Sequence, residues 1–186
     1  KFTVQQSSTV FRVGTDGVLL GALCNVSESE NILEIGTGTG IISLMLAQRN
    51  PKAKITGIDL NEDAANLALK NFEQSEFRER LQAKHQDIKT FSSEKFDAIV
   101  SNPPYFTDSL LPPDKRRSRA RHSVSLTLDD LLVSARSCLK NHGTLSLILP
   151  YDKREELDAL CEKYLFYMKR KTIVYPLPDS EPKRLL

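Results

Sequence analysis

The sequence has few cysteines, and the three present lie far apart, at Cys24, Cys138 and Cys161. None belongs to a Cys-x-x-Cys pair and their number is odd, so a disulfide framework and a zinc site are both disfavoured. We therefore expect no bound metal. Thiols without disulfide partners are typical of the reducing cytosol, so we also expect a cytoplasmic protein.

The sequence also lacks an apolar run long enough to span a membrane, and it shows no signal peptide. It contains no internal repeat, no low-complexity segment and no clear linker. Its 186 residues, 40% hydrophobic and 27% charged, are ordinary for a globular protein and sufficient for a substantial core. We expect a single domain over residues 1–186, monomeric and without a membrane partner.

The charge of the chain is uneven along its length. Residues 1–111 hold 11 basic and 14 acidic side chains, whereas residues 112–186 hold 15 basic and 10 acidic side chains. A surplus of positive charge in one half indicates an anionic partner that approaches that half. A basic face that only contacts solvent explains the same counts equally well.

The most informative stretch is NILEIGTGTG at residues 31–40, where an apolar run passes into Gly36, Gly38 and Gly40. A second apolar run at helical spacing follows, so the stretch predicts a buried strand, a tight turn and a helix. Glycine allows the backbone to turn sharply and to approach a ligand closely. A dinucleotide-binding fingerprint would place its third glycine at position 41, where Ile41 stands instead. A glycine-rich turn without a ligand is the alternative.

Strand and helix patterns alternate along the chain. This order predicts an α/β fold with a mostly parallel sheet and helices on both faces. Residues 2–13 are consistent with a short strand or hairpin, and Thr15 or Asp16 would cap a helix that follows. Asn61, the Thr127 and Asp130 pair, and Asp152 are predicted to cap three further helices. The predicted strands of the sheet cover residues 32–35, 54–60, 81–86, 96–101, 144–149 and 171–175, with a seventh strand beginning at 184–186.

Two acidic residues follow predicted strands. Asp59 ends the second strand, about 20 residues after the glycine loop, which is where a carboxylate binds the two hydroxyls of a ribose. A carboxylate that only helps to cap the next helix is the alternative. Asp87 follows the third strand. Because the carboxyl ends of parallel strands meet at one edge, we expect both acids near the glycine loop.

The fourth predicted strand runs directly into Asn102, Pro103, Pro104 and Tyr105. The nitrogen of an exocyclic amine or amide is a poor nucleophile, because its lone pair is delocalised. Two acceptors, the Asn102 side-chain oxygen and the Pro103 carbonyl, can hold its hydrogens so that the lone pair faces a methyl donor. The prolines stiffen the loop, and Tyr105 offers a ring on which a base can stack. A stiff turn without chemistry is the alternative.

These motifs carry a family resemblance. Glu-x-Gly-x-Gly-x-Gly resembles the first motif of S-adenosylmethionine-dependent methyltransferases, and Asn-Pro-Pro-Tyr resembles the amino-methyltransferases that act on adenine, guanine or glutamine amides. VGTDGVLLG at 13–21, NPPYF at 102–106 and the Arg121-His122 region resemble the bacterial valine tRNA adenine-N6 methyltransferases more closely. Members of that family are usually longer, so the seventh strand looks cut off here.

The resemblance implies a Rossmann-like methyltransferase fold with a mostly parallel seven-stranded sheet, whose last strand is truncated. It divides the domain into an N-terminal cover segment (1–27) and a catalytic core (28–186). It implies S-adenosylmethionine as the cofactor and tRNA as the partner, with Asp87 facing the cofactor's adenine. The cofactor-binding residues that it implies are Thr15, Glu34, Gly36, Thr37, Gly38, Gly40, Asp59, Asp87 and Asn102. The catalytic residues that it implies are Asn102, Pro103, Pro104 and Tyr105.

A basic cluster follows the Asn-Pro-Pro-Tyr motif by about ten residues. We expect it to lie beside the mouth of the pocket and to contact the RNA backbone, because a small substrate would not require so much positive charge. A solvated surface is the alternative. The predicted RNA-binding residues are Lys115, Arg116, Arg117, Arg119 and Arg121.

The expected reaction is methyl transfer to the N6 nitrogen of adenine 37 in the anticodon loop of valine tRNA. Methylation of a guanine in ribosomal RNA, or of a glutamine amide in a protein, stays open as an alternative. A glutamine enzyme usually carries a separate N-terminal helical domain, which this sequence lacks. A nucleotide-binding module without catalysis is a further alternative.

Overall fold

The computed structural model describes residues 1–92, 95–104 and 126–186. Its strands are β1 (Asn31–Ile35), β2 (Lys54–Asp59), β3 (Leu81–His85), β4 (Phe96–Ser101), β5 (Leu139–Leu147), β6 (Leu149–Pro150), β7 (Ile173–Val174) and β8 (Arg184–Leu185). Its α-helices are α1 (Thr15–Leu23), α2 (Ile41–Arg49), α3 (Glu62–Glu73), α4 (Leu128–Cys138) and α5 (Arg154–Lys163). Short 3₁₀ turns at Arg78–Arg80 and Tyr151–Lys153 precede β3 and α5.

Five strands form a parallel sheet in the order β3-β2-β1-β4-β5. The chain winds outward from β1 in both directions, so the strand order reverses between β1 and β4. In the register, Ile35 pairs with Ile58 of β2 and with Ser101 of β4. The three central strands therefore end level with one another. A crevice outside this edge, at the reversal point, is where ligands bind in open parallel sheets.

Apolar side chains cover both faces of the sheet. On one face Ile32 belongs to a core cluster with Leu44 of α2 and Phe72 of α3. On the other face Leu33 belongs to a cluster with Leu131 of α4. Each such side chain, when fully buried, contributes about 1.5–3 kcal/mol. The α/β class, the parallel order of the first five strands and the helices on both faces agree with the sequence-based prediction.

The described strands do not form the single seven-stranded sheet that was predicted. Strands β6, β8 and β7 form a separate antiparallel sheet of three short strands. The reason lies in the connection at 175–183, which contains three prolines and joins β7 to β8 directly. Parallel neighbours require a crossover of a dozen or more residues, so strands joined by so short a connection pair in antiparallel fashion.

Three other local predictions are also wrong. Within the described part of the chain, residues 2–13 form no strand, and their irregular path runs to Gly14, which is the N-cap of α1 instead of Thr15 or Asp16. Strand β5 begins at Leu139, five residues earlier than expected, and a shift in its register with β4 accommodates the extra residues. His142 in this segment has a positive φ of 64°.

The predicted helix caps are confirmed at two of the three later positions. The Asn61 side chain accepts hydrogen bonds from the backbone N–H groups of Asp63 and Ala64. Thr127 and Asp130 form a reciprocal capping box at the start of α4. At α5, however, Asp152 lies in the 3₁₀ turn and Lys153 is the N-cap. Each side-chain cap typically contributes about 1 kcal/mol.

Candidate active site

The glycine loop joins β1 to α2 at the level edge of the sheet. Gly36, Gly38 and Gly40 all have positive φ, at 75°, 56° and 78°. A Cβ added to Gly38 would have no heavy atom within 4 Å, whereas at Gly40 it would lie 2.5 Å from Cε1 of Phe72. The first glycines therefore leave open space beside the backbone, while Gly40 permits α3 to pack against the loop.

Glu34 is fully buried at the end of β1. Its Oε2 accepts hydrogen bonds from Thr37 Oγ1 at 2.8 Å, from the Ser43 N–H at 3.1 Å, and from Ser43 Oγ. Its Oε1 is buried without a hydrogen-bond partner among the described residues. Burial raises the pKa of Glu34 to about 7, although the hydrogen bonds from Ser43 and Thr37 oppose the rise. The unpartnered Oε1 can accept a hydrogen bond from a ligand that lies beside the glycine loop.

Asp59 lies at the carboxyl end of β2 and connects two backbone segments. Its Oδ2 accepts from the Gly38 N–H and its Oδ1 from the Asn61 N–H, both at 2.9 Å. Burial raises the pKa of Asp59, against the effect of these two hydrogen bonds. Each carboxylate oxygen can accept more than one hydrogen bond, so capacity for a ligand hydroxyl remains. Both roles considered for Asp59, ribose binding and support of the next helix, are compatible with this geometry.

The Asn102 loop begins where β4 ends. Ser101 Oγ donates a 2.8 Å hydrogen bond to the Ile35 carbonyl, which ties the end of β4 to the residue before the glycine loop. Asn102 follows and is half-buried, Pro103 is buried and Pro104 is exposed. The side-chain amide and the glycine loop thus lie at adjacent strand ends on both sides of the reversal point.

These elements surround one cavity of about 1450 Å³. Among its lining residues are most of the predicted site: Thr15, Glu34, Gly36, Thr37, Gly38, Asp59, Asp87, Asn102, Pro103 and Pro104. Gly40 is not among them, in keeping with its contact with Phe72. Tyr105 and the cluster Lys115, Arg116, Arg117, Arg119 and Arg121 lie outside the described residues.

Two side chains that the sequence did not indicate, Asn71 and Arg184, hold parts of the cavity wall together. Asn71 is buried in α3; its side chain donates to the carbonyls of Gln5 and Thr39 and accepts from the Gln5 N–H, at 2.8–3.0 Å. It thereby fixes the N-terminal segment to the glycine loop. Arg184 Nε lies 2.8 Å from Asp16 Oδ2 and joins β8 to the first turn of α1. Neither Asn71 nor Arg184 belongs to a sequence motif, and the residues that they contact lie far away in the sequence. No local pattern therefore indicated these contacts.

The family of the chain follows from comparison with known proteins. The profile of the Methyltransferase small domain family matches residues 6–164. A methyltransferase from Pyrococcus furiosus superposes with a TM-score of 0.67 at 23% identity, over 99% of this chain and 86% of the other. A Thermus thermophilus 16S rRNA N2 G1207 methyltransferase, solved with AdoMet and guanosine, superposes at 0.66 and 20% identity, over 94% and 43%. The fold and the family profile define a methyltransferase.

Similar proteins of known name indicate which kind of methyltransferase this chain resembles. A protein from Flavobacteriaceae bacterium (strain 3519-10) is 47% identical over 100% of this chain and 80% of its own length. One from Bacteroides thetaiotaomicron is 44% identical over 100% and 79%. Both are named tRNA1(Val) (adenine(37)-N6)-methyltransferase, and the chain belongs to this family. The resemblance noted in the sequence is thereby confirmed.

Two further observations concern the rest of the molecule. No helix in residues 1–92, 95–104 and 126–186 is long and apolar enough to cross a membrane. The same residues contain no group of three or more His, Cys, Asp or Glu side chains arranged to hold a metal ion.

Proposed function

We propose that this enzyme transfers a methyl group from S-adenosylmethionine to the N6 nitrogen of adenine 37 in valine tRNA. The observation that carries the proposal is the placement of Asn102 and Pro103 beside the glycine loop, in one cavity at the reversal point of the sheet. The family of the chain supports both the reaction and the substrate.

The cavity fits the cofactor chemically. S-adenosylmethionine carries an ammonium group, and the buried Oε1 of Glu34 offers an acceptor that no described side chain or backbone group uses. The open side of Gly36 and Gly38 permits a ligand to approach the backbone. Asp59 would hold the ribose and Asp87 the adenine, and Thr15 and Thr37 complete the wall around them. When bound, the cofactor supplies a methyl group activated by an adjacent sulfonium.

Asn102 and Pro103 act on the target nitrogen. The Asn102 side-chain oxygen and the Pro103 carbonyl accept hydrogen bonds from the two amino hydrogens of the adenine. This orients the lone pair and favours the pyramidal geometry that the nitrogen reaches in the transition state. Pro103 and Pro104 restrict the loop, so the acceptors are already in place before the base arrives. A strong base is not required, because the amino proton becomes acidic once the methyl group is attached.

The surroundings of the target base belong to the same proposal. Tyr105 provides a ring for stacking, and the basic residues Lys115, Arg116, Arg117, Arg119 and Arg121 contact the RNA backbone. We further propose that the enzyme acts in the cytoplasm as a monomer without a metal, with residues 1–27 covering a catalytic core at 28–186.

Replacement of Asn102 by alanine tests the proposal. The variant should lose at least about a hundredfold in kcat, the scale seen when one preorganised hydrogen-bonding group is removed from a transition state. Its affinity for S-adenosylhomocysteine, measured by calorimetry, should stay within about twofold of wild type. Methyl transfer to tRNA that survives Asn102→Ala undiminished would contradict the role assigned to this side chain. A matched loss of cofactor affinity would place Asn102 in cofactor binding instead.

A further inference from the structure

Three exposed basic side chains line the cavity, and they come from separate parts of the chain. Arg12 belongs to the N-terminal segment, Lys89 follows β3, and Lys183 lies in the connection before β8. We propose that Arg12, Lys89 and Lys183, called here the cationic rim, bind phosphate groups of the RNA strand that presents the target adenine. This proposal rests on the proposed function and adds three residues to those at 115–121 that the proposed function assigns to the RNA backbone.

The acidic residues that line the cavity are less exposed than these three basic side chains. Glu34 is buried, and Asp16, Asp59 and Asp87 are half-buried. Arg184 Nε lies 2.8 Å from Asp16 Oδ2, and Asp59 accepts two backbone hydrogen bonds. The fully exposed charged side chains of the described lining are therefore all basic.

A positive rim does not serve the cofactor. S-adenosylmethionine itself carries a net positive charge, from its sulfonium and ammonium groups against one carboxylate, so exposed cations at the entrance oppose its approach. An anionic second substrate gains from the same charges. The phosphates of a nucleic-acid strand are anions that three separate basic side chains can contact at once.

Backbone hydrogen bonds hold the chain at or next to each rim residue, while the side chain of each rim residue is exposed. The Val13 N–H, next to Arg12, donates to Gln6 Oε1 at 3.0 Å. The Lys89 N–H donates to Asp87 Oδ1 at 2.9 Å. The Lys183 N–H donates to the Val174 carbonyl at 2.9 Å, and its own carbonyl accepts from Tyr151. Positions fixed in this way reduce the entropy that RNA binding would otherwise cost.

An aromatic ring accompanies the rim. Phe11, next to Arg12, lines the same cavity and is 70% exposed. Surfaces that bind single-stranded nucleic acid combine exposed aromatic rings with basic side chains, because bases stack on the rings and phosphates bind the positive charges. The cavity, at about 1450 Å³, also exceeds the roughly 300–1,000 Å³ typical of a site for one small ligand. It has room for a nucleotide besides the cofactor.

The test compares two triple variants with the same change in charge. The rim variant carries Arg12→Gln, Lys89→Gln and Lys183→Gln. The control variant carries Lys52→Gln, Lys70→Gln and Lys169→Gln, at exposed lysines that are not among the described residues lining the cavity. For both, and for wild type, the dissociation constant of valine tRNA is measured from low to moderate salt. Affinity for S-adenosylhomocysteine and kcat at saturating tRNA are measured in parallel.

We expect the rim variant to flatten the log–log salt dependence by roughly 2, since each phosphate contact in a single strand contributes about 0.7. Its KM for tRNA should rise about tenfold or more, with kcat and cofactor affinity close to wild type. A Phe11→Ala variant should lose roughly tenfold in tRNA affinity, and Phe11→Tyr should retain it.

Two different results would overturn the proposal, and they are distinguishable. If wild type methylates valine tRNA but the rim and control variants have the same salt dependence, the rim is not the phosphate contact and the proposed function stands. If wild type binds and methylates an acidic protein and not RNA, the proposed function fails and this proposal fails with it.

Discussion

Glu34 shows at the scale of a single residue how burial and hydrogen bonding compete. Its carboxyl group ends a central strand with no exposure to water, and three donors from Thr37 and Ser43 converge on one oxygen. The strand-end glutamate was predictable from its place before the glycines. The raised pKa was not, because it results from the complete burial of the residue, which the hydrogen bonds from Thr37 and from Ser43 of α2 offset only in part.

The stability of the cofactor-free protein should therefore depend on pH through Glu34. Its pKa rises from 4.5 to about 7 on folding, so the folded state binds the proton more tightly than the unfolded state does. This stabilisation is complete below pH 4.5 and is lost as the pH rises through 7. Between these values the free energy of unfolding should fall by roughly 3 kcal/mol in wild type relative to Glu34→Gln. Urea unfolding at several pH values measures the difference, and parallel profiles for the two proteins would refute it.

At the scale of the structural element, glycines of one loop have two different roles: some leave space beside the backbone, and one permits close packing of a helix. The spacing of Gly36, Gly38 and Gly40 predicted a strand, a turn and a helix, and the structure contains all three. The sequence did not reveal that Gly40 packs against Phe72 while Gly38 has open space at its side. That distinction depends on where α3 crosses the loop, which is a matter of tertiary packing.

Alanine substitutions should distinguish the packing role of Gly40 from the ligand-facing role of Gly38. Gly40→Ala places a methyl group 2.5 Å from Phe72 Cε1 at a φ of 78°, so overpacking and backbone strain together should destabilise the fold by about 2–5 kcal/mol. Gly38→Ala meets no neighbour within 4 Å and should cost about 1–2 kcal/mol through its φ alone. Its main effect should be weaker binding of S-adenosylhomocysteine, because the methyl group enters the cavity. Thermal unfolding and calorimetry on both variants decide the matter: if Gly38→Ala binds normally, the open side does not face the cofactor.

Elements near the ends of the chain were predicted less well than those in the centre. Strands β1, β2 and β4 are buried on both faces and bounded by clear turn residues, so their apolar runs were readable. Strands β7 and β8 have two residues each, and their pairing depends on the proline-containing connection between them. The irregular N-terminal segment is held by Asn71, sixty-six residues from Gln5, and such a contact has no local signal.

At the scale of the whole molecule, the order of the strands assembles the site. Predicted site residues as far apart in sequence as Thr15 and Pro104 line one cavity because parallel strands place their carboxyl ends at one edge. The sequence predicted this convergence from the alternation of strands and helices. It did not predict that the C-terminal sheet adds Lys183 and Arg184 to the wall, because the contact between Arg184 and Asp16 joins opposite ends of the chain.

The most direct test of the central claim uses two transcripts of valine tRNA that differ only at position 37. One carries adenine there and the other carries guanine, and each is incubated with the enzyme and labelled S-adenosylmethionine. We predict methyl incorporation into the first transcript only, recovered after digestion as N6-methyladenosine. Equal incorporation into both transcripts, or a methylated guanosine as the product, would contradict the account.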